Sequence, residues 1–151
     1  MKYNRVIVWF KNDLRLHDHA ALFSAWKESS EIIPVYCFDP RQFGKVDLGI
    51  QKTGPFRAKF LIEAVDNLRQ NLIKAGANLI VRIGKPEELL PELAVEFQAE
   101  AIFFSEEVTQ EEKSVEKNLE NAVWKKGIET FAYSFDTDTY SEDIKNNFER
   151  Y

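Results

Sequence analysis

The sequence predicts an α/β fold, a five-stranded parallel sheet with helices on both faces. Two observations carry that prediction. Apolar runs rich in β-branched and aromatic residues alternate along the chain with segments of helical periodicity, giving five strands and four helices. The first run, Val6-Ile7-Val8-Trp9-Phe10, is unbroken, as expected of a central strand covered on both faces.

That strand stops abruptly at Lys11-Asn12-Asp13-Leu14-Arg15. In an open parallel sheet, the loop after a strand's carboxyl end is where ligands bind. His19 to Glu28 then reads as a helix with Asp18 as N-cap and Ala20, Leu22, Phe23 and Trp26 on its apolar side. Ile32 to Phe38 is the second strand; its Pro34 fits a strand start or an edge better than a sheet centre. The turn Asp39-Pro40 ends it, so Phe38–Phe43 forms a second loop on the same rim. Gly44 to Pro55 reads as a long surface loop and Phe56 to Ala75 as the longest helix, closed by Gly76. Its apolar positions are Phe60, Leu61, Val65, Leu68, Leu72 and Ile73. Arg57, in the first turn, is unfavourable for the helix dipole and suggests a carboxylate partner, with a solvated arginine as the equal alternative.

Asn78 to Ile83 is the third strand, and Pro86 opens the helix that runs on to Phe97. Glu87 and Glu88 resemble an acid pair, but solvation at a helix start explains them better. Ala101 to Ser105 is the fourth strand and leads into Glu106-Glu107-Val108-Thr109, a third rim loop. The helix Gln110 to Lys126, with Val115, Leu119, Ala122 and Val123 inward, ends at Gly127. Ile128 to Phe135 is the fifth strand, and the tail 136–151 has a short helical pattern after Ser141.

Composition bounds the function. The 151 residues suffice for one domain with a real core. With 44% hydrophobic and 30% charged residues, the chain reads as globular rather than disordered. No apolar run approaches a membrane span, the chain enters a strand without a signal peptide, and the lone Cys37 fits a reducing, cytoplasmic setting as a buried inert thiol. Net charge is −5, split into +5 over residues 1–84 and −10 over residues 85–151. An acidic half argues against direct binding of nucleic acid. His17 and His19 flank Asp18, but the spacing matches no zinc pattern, so no metal is expected.

Trp9-Phe10-Lys11-Asn12-Asp13-Leu14-Arg15-Leu16-His17-Asp18 resembles the N-terminal signature of the photolyase/cryptochrome family. Lys52-Thr53-Gly54-Pro55-Phe56-Arg57-Ala58-Lys59-Phe60-Leu61, Val81-Arg82-Ile83-Gly84-Lys85-Pro86-Glu87-Glu88, and Glu106-Glu107-Val108-Thr109 with Glu111-Glu112 resemble its DASH branch, in the right order. The resemblance covers Val6 to about Phe135 and implies a Rossmann-like α/β antenna domain over residues 1–135.

In the family this domain precedes a larger helical domain that holds FAD, the damaged-DNA pocket and a tryptophan electron-transfer chain. The sequence ends before such a domain, so FAD is not expected in this chain and no catalytic residue is assigned; Trp9, Trp26 and Trp124 match none of that chain. The resemblance implies an antenna pigment, methenyltetrahydrofolate or 8-hydroxydeazaflavin, that passes excitation to FAD on a partner domain or chain. A pterin edge offers a ring N–H beside an amino group, which one carboxylate can accept as a bidentate pair. Glu106 or Glu107 suits that role, Glu107 better. Phe10, Phe38 and Phe43 offer stacking surface, with core packing the stronger reading for the first two, and Lys11 could meet an anionic tail. Asp13 and Asp39 complete the candidate cofactor-binding set on the same loops. Ser134 to Tyr140 departs from the DASH linker and the chain end has no tag character, which suits a small protein without the helical domain. The competing class is an interaction domain that kept the fold and lost the pigment. Nucleotide binding, by general likeness of α/β folds, ranks third.

Overall fold

The computed structural model describes residues 2–42 and 55–134. The elements are β1 (Tyr3–Phe10), α1 (Ala20–Glu28), β2 (Ser29–Phe38), α2 (Pro55–Lys74), β3 (Ile80–Ile83), α3 (Pro86–Glu96), β4 (Ala101–Ser105), α4 (Gln110–Trp124) and β5 (Glu129–Tyr133), with a 3₁₀ turn at Pro40–Gln42. Among the described residues the five strands form one sheet in the order β3-β2-β1-β4-β5, every pair parallel. Phe43, the 44–54 part of the loop, Phe135 and the tail helix lie outside the described residues, as does the side chain of Arg57.

β1 alternates across the sheet. Val6, Val8 and Phe10 pack with Ala21, Leu22 and Ala25 of α1 and with Val65, Leu68 and Leu72 of α2. Ile7 and Trp9 pack on the other face with Leu90 and Leu93 of α3 and Leu119 and Val123 of α4. Both faces of β1 are therefore covered, which is why its apolar run is continuous rather than alternating. Pro34 is accommodated because β3 pairs with β2 only from Val35 onward, so Pro34 has a strand neighbour, Val8, on one side alone.

Several expectations about α1 and α2 need correction. The N-cap of α1 is His19, not Asp18: His19 is extended and its Nδ1 accepts from the Leu22 N–H at 3.1 Å, whereas Asp18 turns the chain at φ 49°. The sheet-facing side of α1 is Ala21, Leu22 and Ala25, small enough for close approach, while Phe23 and Trp26 are half-buried and stack on each other at 6.4 Å. On α2 the core stripe is Leu61, Val65, Leu68 and Leu72; Phe60 and Ile73 lie about a quarter-turn off it and are 71% and 46% exposed. The third strand starts at Ile80 and the fifth at Glu129, one or two residues inside the expected bounds.

Three helices end alike. In α2, α3 and α4 a positive-φ residue (Gly76, Gln98, Gly127) follows the last turn, and the next N–H reaches back to a carbonyl five residues earlier: Ala77 to Leu72, Ala99 to Ala94, Ile128 to Val123. These Schellman closures each aim the chain into the following strand.

Candidate functional site

The chain builds β1, β2 and β3 outward in one direction, then returns to lay β4 against the other side of β1. The carboxyl ends of β1 and β4 therefore diverge into a crevice, the topological switch point. Register sets Phe10 beside Tyr36, and Trp9 beside Phe104. The loops beginning at Lys11, Asp39 and Glu106 thus leave the same edge of the sheet, as expected.

Asp13 pins the first loop. It is 2% exposed; its Oδ1 accepts from the Lys11 N–H at 2.8 Å and its Oδ2 from Ser105 Oγ at 2.6 Å. His19 Nε2 also lies 2.7 Å from Oδ2, though off the line of a well-formed hydrogen bond. Nδ1 accepts from the Leu22 N–H, so Nε2 is the nitrogen that faces Asp13. Burial alone would raise the Asp13 carboxyl; His19, then Ser105 and the Lys11 N–H, outweigh it and hold the group well below the usual carboxylate range. With the Lys11 N–H on one oxygen and the Ser105 hydroxyl on the other, Asp13 ties β1 to β4.

Lys11 is also engaged. Its Nζ lies 2.7 Å from Glu116 Oε2, with side-chain exposures of 9% and 12%, and sits over the rings of Trp9 and Phe104 at 4.7 and 5.6 Å. Its ammonium group is therefore placed against α4. On the β2 side, Arg41 is held between Asp39 and Glu87, donating to Asp39 Oδ2 and to Glu87 Oε1, both at 2.7 Å. Glu87 is thus no solvated helix-start charge: it is clamped to the second rim loop through Arg41. Asp39 itself is 7% exposed and fully taken up by Arg41. Phe10 is completely buried and Phe38 is half-buried, edge-on to Tyr36 at 4.9 Å, so packing accounts for both.

Glu106 and Glu107 differ from these. Glu106 is exposed and Glu107 half-buried at the end of β4. Asn12 Nδ2 faces Glu107 Oε1 across the crevice at 3.4 Å, a weak contact that leaves the carboxylate available. Burial first, then the neighbouring Glu112, pushes the Glu107 carboxyl up to about 7, against the opposing pull of Lys11. A half-desolvated carboxylate at a switch point, without a strong partner among the described residues, is the arrangement expected of a group kept for a ligand.

Sequence reading missed five contributors: Asn12, His19, Arg41, Ser105 and Glu116. Apart from His19 with Asp13 and Arg41 with Asp39, which are near neighbours in the chain, these pairings span 46 to 105 residues, so no local pattern marks them. Among the described residues no group of three or more His, Cys, Asp and Glu is placed to hold a metal, and no helix is long and apolar enough to cross a membrane. A groove of about 560 Å³ between α1 and α2 is lined by Leu16, Leu22, Trp26, Ile32, Pro34 and Leu72 among others, and involves none of the candidate residues.

The family model of DNA photolyase matches residues 6–148. The chain belongs to the DNA photolyase family. Within it, the chain is 47% identical over 149 residues to a blue-light photoreceptor of Arabidopsis thaliana, covering 94% of the chain and 33% of that protein. It is 49% identical over 123 residues to a cryptochrome DASH of Gloeobacter violaceus, covering 82% of the chain and 25% of that protein. The solved Synechocystis cryptochrome superposes with a TM-score of 0.84 at 46% identity, over 87% of this chain and 27% of that one. A Sulfolobus tokodaii photolyase, described with two FAD molecules and a novel light-harvesting cofactor, superposes at 0.77 with 29% identity, over 86% of this chain and 29% of its own. The chain thus spans about a quarter to a third of these relatives and corresponds to their N-terminal α/β domain.

Proposed function

We propose that this α/β domain binds an antenna pigment at the crevice between β1 and β4 and passes excitation to FAD carried by a helical domain or partner chain. The observation that carries the reading is Glu107: a half-buried carboxylate at the switch point with one weak partner among the described residues. As a carboxylate it accepts two parallel hydrogen bonds, matching the ring N–H and amino group of a reduced pterin. Methenyltetrahydrofolate presents that edge and is the pigment of choice; 8-hydroxydeazaflavin is the alternative.

The remaining rim residues support Glu107 rather than bind. Asp13 with Ser105 fixes the gap between β1 and β4, and Asp39, Arg41 and Glu87 stiffen the β2 side. Excitation transfer asks of the protein only binding, orientation and exclusion of quenching water. The test is absorption and fluorescence titration of the purified chain with methenyltetrahydrofolate. Saturable binding with a displaced near-ultraviolet band supports the reading; no saturable binding contradicts it.

The second reading, an interaction domain without pigment, draws on the exposed apolar side chains Phe60 and Ile62 on α2, Ile83 at the end of β3 and Val108 on the rim. Under that reading pigment leaves the spectrum unchanged while the apolar side chains mediate association.

A further inference from the structure

Glu116 lies in the second turn of α4, yet its carboxylate reaches back beneath the crevice. One oxygen, Oε2, accepts from Lys11 Nζ at 2.7 Å and from the backbone N–H of Glu107 at 3.0 Å. Lys11 belongs to the loop after β1 and Glu107 to the loop after β4, so this oxygen joins the two lips of the crevice. The contact is sheltered: the Lys11 and Glu116 side chains are 9% and 12% exposed, and the ammonium group rests on the Trp9 ring. A solvated helix charge would have no such partners.

We propose that Glu116 is a positioning residue for the Glu107 site, setting the separation of the crevice lips and the direction in which Glu107 presents its carboxylate. This rests on the reading of the crevice as the pigment site. A mere strut would need only the geometry. The carboxylate also offsets part of the positive charge of Lys11, which acts on Glu107. The charged groups around Glu107 are Lys11 and Asp13 from the loop after β1, Glu112 and Glu116 from α4, and the adjacent Glu106. With Glu116 made neutral, Lys11 lacks its nearest anion and its field favours the ionised form of Glu107.

The test uses Glu116→Gln, Glu116→Ala, the double variant Lys11→Met/Glu116→Gln, and Glu120→Gln as an exposed control one turn along the same helix. Carboxyl ¹³C shifts of Glu107, titrated in the pigment-free chain, give the first readout. In Glu116→Gln the midpoint falls by about one pH unit; in the double variant it returns toward wild type, and in Glu120→Gln it does not move. Methenyltetrahydrofolate affinity gives the second. Glu116→Gln moves its acid limb down by the same interval, while Glu116→Ala, which frees the Glu107 N–H, weakens binding about tenfold at pH 8. An unmoved Glu107 midpoint in Glu116→Gln, or wild-type affinity in a folded Glu116→Ala, overturns the proposal. If Glu116→Ala does not fold, the Gln and double variants decide by the first readout. Failure of wild type to bind pigment contradicts the proposed function instead, because the ¹³C titration needs no pigment.

Discussion

Replacing Asp13 with alanine should cost more stability than any other single change on the rim. The side chain is 2% exposed and is the acceptor for Ser105 Oγ at 2.6 Å and the Lys11 N–H at 2.8 Å, with His19 Nε2 at 2.7 Å. Removing it leaves the Ser105 hydroxyl and the Lys11 N–H without their acceptor, roughly 1–3 kcal/mol each before the loop relaxes. Together with the His19 contact and the void left by the side chain, the expected loss is about 3–5 kcal/mol. For a domain of this size that lowers Tm by roughly 6–20 °C. The sign of the pH dependence follows from the depressed carboxyl. Its stabilisation is complete above the unfolded value of about 3.9 and is lost as pH falls below it toward the folded value. Urea unfolding followed by circular dichroism should show the full gap between wild type and Asp13→Asn at pH 7 and a shrinking gap below about pH 4. A loss under 1 kcal/mol for Asp13→Ala, or a gap unchanged between pH 7 and pH 3, would refute the account of this network.

Three further outcomes are expected. Gln98 closes α3 at φ 58°, a conformation costing a non-glycine residue about 1–2 kcal/mol, so Gln98→Gly should raise the urea midpoint by the equivalent of roughly 0.5–1 kcal/mol; an unchanged or lower midpoint counts against it. The Cys37 thiol is buried and pushed up to about 12, first by that burial and then by Asp39, so an aromatic disulfide reagent at pH 8 should label it only after unfolding; prompt labelling of the native chain would contradict its placement. Tested alone, the chain should neither bind FAD stoichiometrically nor repair thymine dimers in light, and light-dependent repair by the pure chain would overturn the assignment of those activities to a helical domain.

The strands were legible because burial on both faces writes itself into an unbroken apolar run, as at Val6–Phe10, and because Gly76, Pro86 and Gly127 mark helix ends locally. The rim position of Glu107 also followed from sequence, since it sits just past the end of the fourth strand. What stayed hidden was the pairing of charges. Lys11, Asp13, Asp39 and Glu87 look equally available along the chain, yet Glu116, Ser105 and Arg41 engage them through contacts set by tertiary packing. The same applies to α1, where the aromatic residues Phe23 and Trp26 suggested the inward side, but the approach to the sheet admits only Ala21, Leu22 and Ala25 there.

The central claim is that Glu107 reads the pigment as an ionised carboxylate. Its carboxyl is pushed up to about 7, so affinity should fall as pH drops through that value and the acceptor becomes protonated. Charge-assisted hydrogen bonds contribute about 1.5–3 kcal/mol each, so Glu107→Ala should lose at least tenfold in affinity while the fold is retained. The direct measurement is fluorescence titration of methenyltetrahydrofolate against wild type and Glu107→Ala from pH 6 to pH 8. The account predicts saturable wild-type binding that weakens toward pH 6 and is at least tenfold poorer in the variant at pH 8. Equal affinities for the two chains, or no dependence on pH across that range, would remove Glu107 from the site.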